Sequence, residues 1–269
     1  MRKNQWAEWA SGVRVCAHKG EEMNMRVTKL RLLAALATAL SAAACYSNGG
    51  LPVGELQTES RSVKLGDAKS VRAEIHMGAG ELKLAGGARD LLEAEFSYNV
   101  AKWKPQVEYR VSGTRGLLTI RQPESSGGPM GPGHYQWDLH FNDKVPLELS
   151  VNLGAGKSEL TLGSLALTHL DLNMGVGETV VDLTGDWKKD LAARIRGGVG
   201  KATVRLPRDV GVQIYAKRGI GEIRAGELRK TDGAYVNEAY GKSPVTLRIN
   251  VEAGIGEISL ELAETSSVI

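Results

Sequence analysis

Cysteine is nearly missing: the 269 residues contain two, Cys16 and Cys45. Two thiols cannot supply a disulfide framework or the multi-ligand cluster of a structural zinc site. Phenylalanine is equally scarce, also two residues, while glycine reaches 33. A core filled by bulky aromatics is thereby disfavoured, and β structure with many tight turns is favoured. Long apolar runs are missing as well. The longest, "LLAALATALSAAA" (Leu32 to Ala44), would form a helix of roughly 20 Å, short of the roughly 30 Å hydrocarbon layer that a permanent span must cross. The chain does have the length to bury a real core, as one large domain or two small ones.

That short run has a purpose suggested by its flanks. "MRVTKLR" (Met25 to Arg31) before it is basic, and small residues after it lead straight to Cys45. A basic region, an apolar region and small residues at the cleavage point make a secretory signal. Small residues before a lone cysteine resemble the bacterial lipobox, in which the thiol is lipidated and the cysteine becomes the first mature residue; the departure is Ala42, where Leu is usual, with Leu40 two places earlier. Residues 25–44 are expected to be a lipoprotein signal peptide and Cys45 the lipid-bearing residue, which makes the membrane the first partner through a firmly held anchor. Tyr46 follows the cysteine where inner-membrane lipoproteins of some bacteria carry Asp, which favours the outer membrane. Residues 1–24, with Trp6, Trp9, Glu8, Glu21 and Glu22, do not suit a signal and are expected to be an untranslated extension, the start lying at Met23 or Met25. Residues 45–67 are expected to be a tether, 68–262 a β-repeat domain and 263–269 a tail.

Charge of one sign is the next thing lacking. Residues 1–44 hold seven of the 34 basic and three of the 31 acidic residues, so 27 basic and 28 acidic remain, a net of −1. The mature chain has no electrostatic footprint for nucleic acid.

Within 68–262 one pattern recurs. "VRAEIHMGAGELKL", "LELSVNLGAGKSEL", "LDLNMGVGETVVDL", "AARIRGGVGKATVRL", "VQIYAKRGIGEI" and "LRINVEAGIGEISL" align on Gly-x-Gly pairs: Gly78 and Gly80, Gly154 and Gly156, Gly175 and Gly177, Gly198 and Gly200, Gly219 and Gly221, Gly254 and Gly256. Four consecutive anchors are 21, 23 and 21 residues apart, the mark of a stacked repeat. Apolar residues alternate before each pair, as in Leu147, Leu149, Val151 and Leu153, and again after it, as in Ile258, Leu260 and Leu262. Each unit is therefore strand, glycine corner, strand. The residue between the glycines is Ala79, Ala155, Val176, Val199, Ile220 and Ile255; apolar throughout, it is expected to point inward, with glycine on either side allowing the turn. The expected fold is all-β, a single-stranded β-solenoid of rungs of about 22 residues, with an antiparallel β-sandwich as the alternative. "LLEAEFSYNV" and "VEYRVSGTRGLLTI" supply strands between Gly80 and Gly156, "PESSGGPMGPGH" leaves the stack as a loop, and "RKTDGAYVNEAYGKSP" is a second excursion.

Several motifs suggest chemistry and fail on inspection. Gly156, Lys157 and Ser158 end like a phosphate-binding loop, but the required first glycine is Val151 and the following residues alternate as a strand, so neither nucleotide nor other cofactor is expected. Glu81, Lys157, Glu178, Lys201, Glu222 and Glu257 follow the anchoring glycines, and the run from Lys157 to Glu222 alternates in sign. Stacked rungs would make this an exposed charge ladder that favours register. The glutamates alone could serve an envelope carbohydrate-active enzyme, but a lysine between carboxylates lowers both pKa values and defeats an acid pair. His76, His134, His140 and His169 show no metal-ligand spacing. No catalytic residue is expected. Tyr135 and Trp137 after the first loop, and Tyr235 and Tyr240 in the second excursion, remain as a candidate surface for an envelope protein or glycan.

The segments "VRAEIHMGAGELKLAGGARDLLEAEFSYNV", "WDLHFNDKVPLELSVNLGAGKSELTL" and "YVNEAYGKSPVTLRINVEAGIGEISL" resemble the bacterial toast-rack family over roughly residues 68 to 262. That resemblance implies a stacked-strand envelope protein of unassigned activity, related to the C-terminal domain of LiaF-type cell-wall stress regulators, with no catalytic residues to transfer. Together these readings describe a membrane-anchored envelope lipoprotein presenting a non-catalytic β-repeat domain for interaction, sensing or envelope-stress response.

Overall fold

The computed structural model describes residues 50–124 and 128–263. Thirteen strands form one mixed sheet: β1 (Gln57–Val63), β2 (Ser70–Ala85), β3 (Leu92–Tyr98), β4 (Gln106–Ser112), β5 (Arg115–Arg121), β6 (Tyr135–Phe141), β7 (Leu147–Thr161), β8 (Leu167–Asp182), β9 (Leu191–Leu206), β10 (Gly211–Arg224), β11 (Arg229–Thr231), β12 (Ala234–Val236) and β13 (Thr246–Leu262). Among the described residues the only helix is a single 3-10 turn, Ala101–Trp103.

Six long strands carry the repeats and run parallel in the order β2-β7-β8-β9-β13-β10. Their second glycines stand in one row: Gly80, Gly156, Gly177, Gly200, Gly256 and Gly221. Each strand is two arms joined at that corner. On the first arms Ile75, Val151, Leu172, Ile195 and Val251 stack in register and are buried. On the second arms Leu84, Leu160, Val181, Val204 and Leu260 do the same. Burying each of these side chains contributes roughly 1.5–3 kcal/mol, which is what holds the rungs together. Glycine is required where the rungs bend: Gly177 has φ +137, and a Cβ there would run into the carbonyl oxygen of Gly156 on the strand beside it.

Alternation changes phase at the corner, because Met77 and Leu82, both buried, lie an odd number of residues apart. The consequence corrects one expectation. The residue between the glycines sits on the convex side of the bend and points out: Val176 is 53% exposed, Val199 46%, Ile255 49% and Ile220 70%. Register aligns these with Ala79 and Ala155 into an aliphatic ridge along the stack.

The interval between Gly80 and Gly156 holds a rung without a glycine corner. β5 pairs with the first arm of β2 and β6 with its second arm, both parallel, and the chain between them leaves the stack. Antiparallel strands then close this end: β4 on β5, β3 on β6 and β1 on β3. Antiparallel pairing is confined to the two ends, here and at β10–β12–β11, and the fold is one mixed sheet with a parallel stack in place of the antiparallel β-sandwich. The expected tether over 45–67 is also corrected, since Gln57–Val63 is strand β1 and Leu51 is buried with a bridge to Pro129. Strand β1 carries polar side chains because both its faces are largely in water, which hid its period.

At the other end β13 inserts between β9 and β10, so chain order and stacking order part. The excursion before it is pinned by Asn237, which is 3% exposed. Its Nδ2 donates to the carbonyls of Pro207, Arg208 and Val210, and its Oδ1 accepts from the Val212 N–H at 3.0 Å. The insertion also rearranges the charge ladder, which runs Glu81, Lys157, Glu178, Lys201, Glu257, Glu222. Lys201 Nζ meets Glu257 at 3.2 Å, and Arg224 supplies the missing cation to the two final acids, 3.0 Å from Glu222 and 3.4 Å from Glu257.

Candidate functional site

The aromatic surface expected from the sequence is half dissolved by the structure. Trp137 is fully buried and Tyr135 is 5% exposed. They belong to the capped end, where Trp137 meets Phe96 edge-on at 5.5 Å and Tyr135 at 5.6 Å. The Tyr135 hydroxyl donates to the Trp103 carbonyl at 2.7 Å, and burial pushes its pKa upward. The signal that places them was present: Tyr135, Trp137, Leu139 and Phe141 alternate, and all four are buried on β6. Tyr235 is half-buried on β12 beneath Lys230, whose Nζ lies 5.4 Å from the ring centre, and Tyr240 is exposed at the neighbouring turn. The two pairs lie at opposite ends of the strand order and do not form one surface. Cys45 lies outside the described residues.

What the fold does bring together is the outer face of the first arms, just before the corner. His76, Asn152, Asn173 and Arg196 occupy equivalent positions on β2, β7, β8 and β9. Asn173 Nδ2 donates to Asn152 Oδ1 at 3.1 Å and to Asp171 Oδ1 at 3.0 Å, and Arg196 Nη1 donates to Asn173 Oδ1 at 2.8 Å. Asn152 Nδ2 is 3.5 Å from His76 Nδ1, which extends the row across four strands. These bonds fix the planes of the two amides and use both N–H donors of Asn173, leaving it one acceptor position on Oδ1.

Two positions further on, the outward side chain is absent, because Gly78, Gly154, Gly175 and Gly198 occupy that row. The bare backbone forms the floor of a groove of about 1070 Å³ whose lining takes in the polar row together with Gln106, Arg121, Gln122, Pro123 and Glu124. Gln122 closes one end by accepting from the Gly78 N–H at 2.7 Å and the Ala79 N–H at 3.3 Å. A second hollow of about 530 Å³ lies on the same face around Arg194, with Arg72, His169 and Arg248 at its margin. The ridge could not be seen in the sequence while its residues were read as core; the increase in size from Ala79 and Ala155 through Val176 and Val199 to Ile255 and Ile220 was the available clue, since stacked inward positions have one space to fill.

Electrostatics give no sign of a proton-handling pair. Glu178 and Glu222 are both exposed and separated by β9 and β13. Where carboxyl pKa values are displaced, they are displaced downward: Glu59 by the Lys104 hydrogen bond, Asp190 by the Thr246 N–H and then Arg248, Glu222 by Arg224, and Glu227 by Arg208. Such groups stay ionised at neutral pH and cannot serve as general acids. Among the described residues no group of His, Cys, Asp and Glu could hold a metal ion, and no helix is long and apolar enough to cross a membrane.

Comparison with known proteins fits this geometry. Residues 52–205 match the family profile for the N-terminal domain of toast_rack, and residues 155–260 match that for the C-terminal region of LiaF, described as a cell wall-active antibiotics response protein. The chain belongs to the toast-rack family. A crystal structure from Clostridium sporogenes, provisionally assigned to cell adhesion, is 32% identical with a TM-score of 0.75, covering 78% of this chain and all of its own. A Bacteroides fragilis structure provisionally described as an adhesin is 12% identical, with a TM-score of 0.32 over 78% of this chain and all of its own. No curated protein matches the toast-rack chain.

Proposed function

We propose that this toast-rack protein is a membrane-anchored envelope lipoprotein whose repeat domain works by contact, in interaction, sensing or envelope-stress response, and does not turn over a substrate. The observation that carries this reading is the form of the exposed surface. Repeated rows of side chains run across the rungs, and the adjacent carboxylates Glu257 and Glu222 are paired with Lys201 and Arg224 where an acid pair for carbohydrate cleavage would need two unpaired groups with separated pKa values. Rigid stacks of rungs present extended binding surfaces of this kind. The relation to LiaF and to the C. sporogenes protein assigned to cell adhesion supports a place in the cell envelope.

In this reading Cys45 carries the lipid, residues 25–44 are the removed signal, and Tyr46 directs the protein to the outer membrane. Tyr235 and Tyr240, both accessible, remain available to a protein or glycan partner. Cys45→Ala should move the protein from the membrane fraction to the soluble fraction of fractionated cells. Retention of the variant in membranes would remove the lipid anchor from the proposal.

A further inference from the structure

Among the described residues nothing covers the aliphatic ridge, and Ala79, Ala155, Val176, Val199, Ile255 and Ile220 are all exposed. They stand in that order on β2, β7, β8, β9, β13 and β10. Single apolar side chains are ordinary on a surface. An unbroken row of them, about 24 Å long at a strand spacing of about 4.8 Å, makes a strip of the kind that marks a contact. Two residues further along each strand runs the charge ladder, also on the outer side, from Glu81 on β2 to Glu222 on β10. Any occupant of the ridge therefore meets the ladder too.

Two properties of these rows select the occupant. Bulk rises along the ridge from the alanines through the valines to the isoleucines, so a flat partner would rest on the β10 end and stand off the β2 end. A lipid surface would in addition strip water from the ladder's charges. A second copy laid face to face with its stack reversed fits both rows. Small then opposes large: Ala155 faces Ile255 of the other copy, Ala79 faces Ile220, and Val176 faces Val199, so each opposed pair has nearly the same bulk. The two-fold axis of this arrangement runs across the stack between β8 and β9 and sets ladder against ladder. Reversal turns the alternation of sign into complementarity, with Lys157 against Glu257 of the other copy and Glu178 against Lys201. Other placements fail. Copies running in the same direction would set isoleucine on isoleucine and leave the alanine end open, and an axis moved onto β8 would set Glu178 against Glu178 and Lys157 against Lys201. Like charges meet only at the ends, Glu81 against Glu222, where Arg224 lies 3.0 Å from Glu222 and where sheet twist makes crossing ridges diverge. We propose that ridge and ladder together are a self-association face, through which two copies of this protein join as an antiparallel two-fold dimer. The inference goes beyond the contact-based reading by naming a second copy as a partner, and it does not require the lipid anchor.

A strip about 24 Å long and roughly 15 Å wide covers on the order of 400 Å² per copy, the low end of specific interfaces, so the dimer is a reversible one of micromolar strength. The test uses the full chain in detergent, with micelles in large excess over protein. Protein mass per particle, read by light scattering, should rise from one chain toward two between about 1 and 500 μM. Carbodiimide, which joins amines to carboxylates already in contact, should couple Lys157 to Glu257. Within one chain these stand three strands apart, about 14 Å, so the coupled peptides come from two copies. A mixture of light- and heavy-nitrogen protein should accordingly yield them with mixed labels. Lys157→Glu should weaken the dimer at least about tenfold. Adding Glu257→Lys should restore most of it, although within each chain the exchange sets like charges side by side. Val176→Glu, at an exposed position that does not endanger folding, should weaken the dimer by a similar factor. A single-chain mass at about 500 μM, a dimer whose coupled peptides exclude Lys157 with Glu257, a charge exchange that fails to restore association, or a dimer unmoved by Val176→Glu would each overturn the proposal. So would capture of phosphatidylethanolamine and phosphatidylglycerol vesicles that Val176→Glu abolishes, which would assign the ridge to a membrane surface. These outcomes are independent of where Cys45→Ala fractionates, so the anchor and the dimer fail separately.

Discussion

The two ends of the rung stack solve the same problem in opposite ways. At the β5/β6 end the terminal rung is covered on both arms by antiparallel strands, and Phe96, Trp137 and Tyr135 pack inside. At the β10 end only Gln213 and Ile214 have a strand beyond them, so Tyr215 to Arg224 is an edge among the described residues. An unpaired edge invites further strands. Here Lys217, Arg218 and Arg224 lie on it, and Arg218 occupies the row that is inward on the other rungs, aligned with Ala253, Gly197 and Met174. A charge held at this row on an edge, exposed as Arg218 is, discourages addition of another rung, because the next copy would bury it. One end is therefore finished by covering and the other by repulsion.

The largest way to break this contrast is within the covered end. Trp137→Ala should cost about 3–5 kcal/mol, read as a lowered thermal or denaturant midpoint, because it leaves a cavity among aromatics that cannot collapse. Ile220→Ala at the edge should change stability by under about 0.5 kcal/mol, since its side chain is mostly in water. Equal losses would mean that the edge is covered in solution. The corners offer a second comparison. Gly177→Ala should cost about 1–3 kcal/mol from positive φ alone, and more from collision with the Gly156 carbonyl. Gly197→Ala, one residue before the Gly198–Gly200 corner, has open space around the added carbon and should be neutral or stabilising by up to about 1 kcal/mol.

The smallest effect concerns acid. Asp190 accepts from the Thr246 N–H and from Arg248, which holds its folded pKa below the ordinary 3.8. Its contribution is present above that ordinary value and is lost as pH falls through the depressed one. Asp190→Asn should lower stability slightly at neutral pH, and the gap from the parent protein should close as the medium is acidified below 3.8. A gap that persists in acid would assign the effect to packing.

Much of this architecture was legible because it is written in short periods. Alternation located the arms, and glycine spacing located the corners and the rung length. The ridge was misread because hydrophobicity alone does not say which side of a bend a residue takes; Val176 and Val199 follow the phase of the core and are turned out by the corner. Tyr135 and Trp137 were misread from their neighbour, a Pro/Gly-rich loop, against their own alternation. Strand β1 has polar residues on both faces and so no period to read. The groove depends on the polar row and the glycine row of four strands, and only register brings them side by side.

The insertion of β13 between β9 and β10 has a consequence for the order in which the molecule can be assembled. Rungs β7, β8 and β9 can be laid down as the chain emerges, each on the one before. β10 emerges next and finds its long parallel neighbour only when β13, the last of the described strands, arrives. Loss of the final strand would therefore not shorten the stack by one rung from its tip. It would remove the member beneath the tip and leave β10 with only its brief pairing to β12, so a strand made after β10 acts as the keystone of that end.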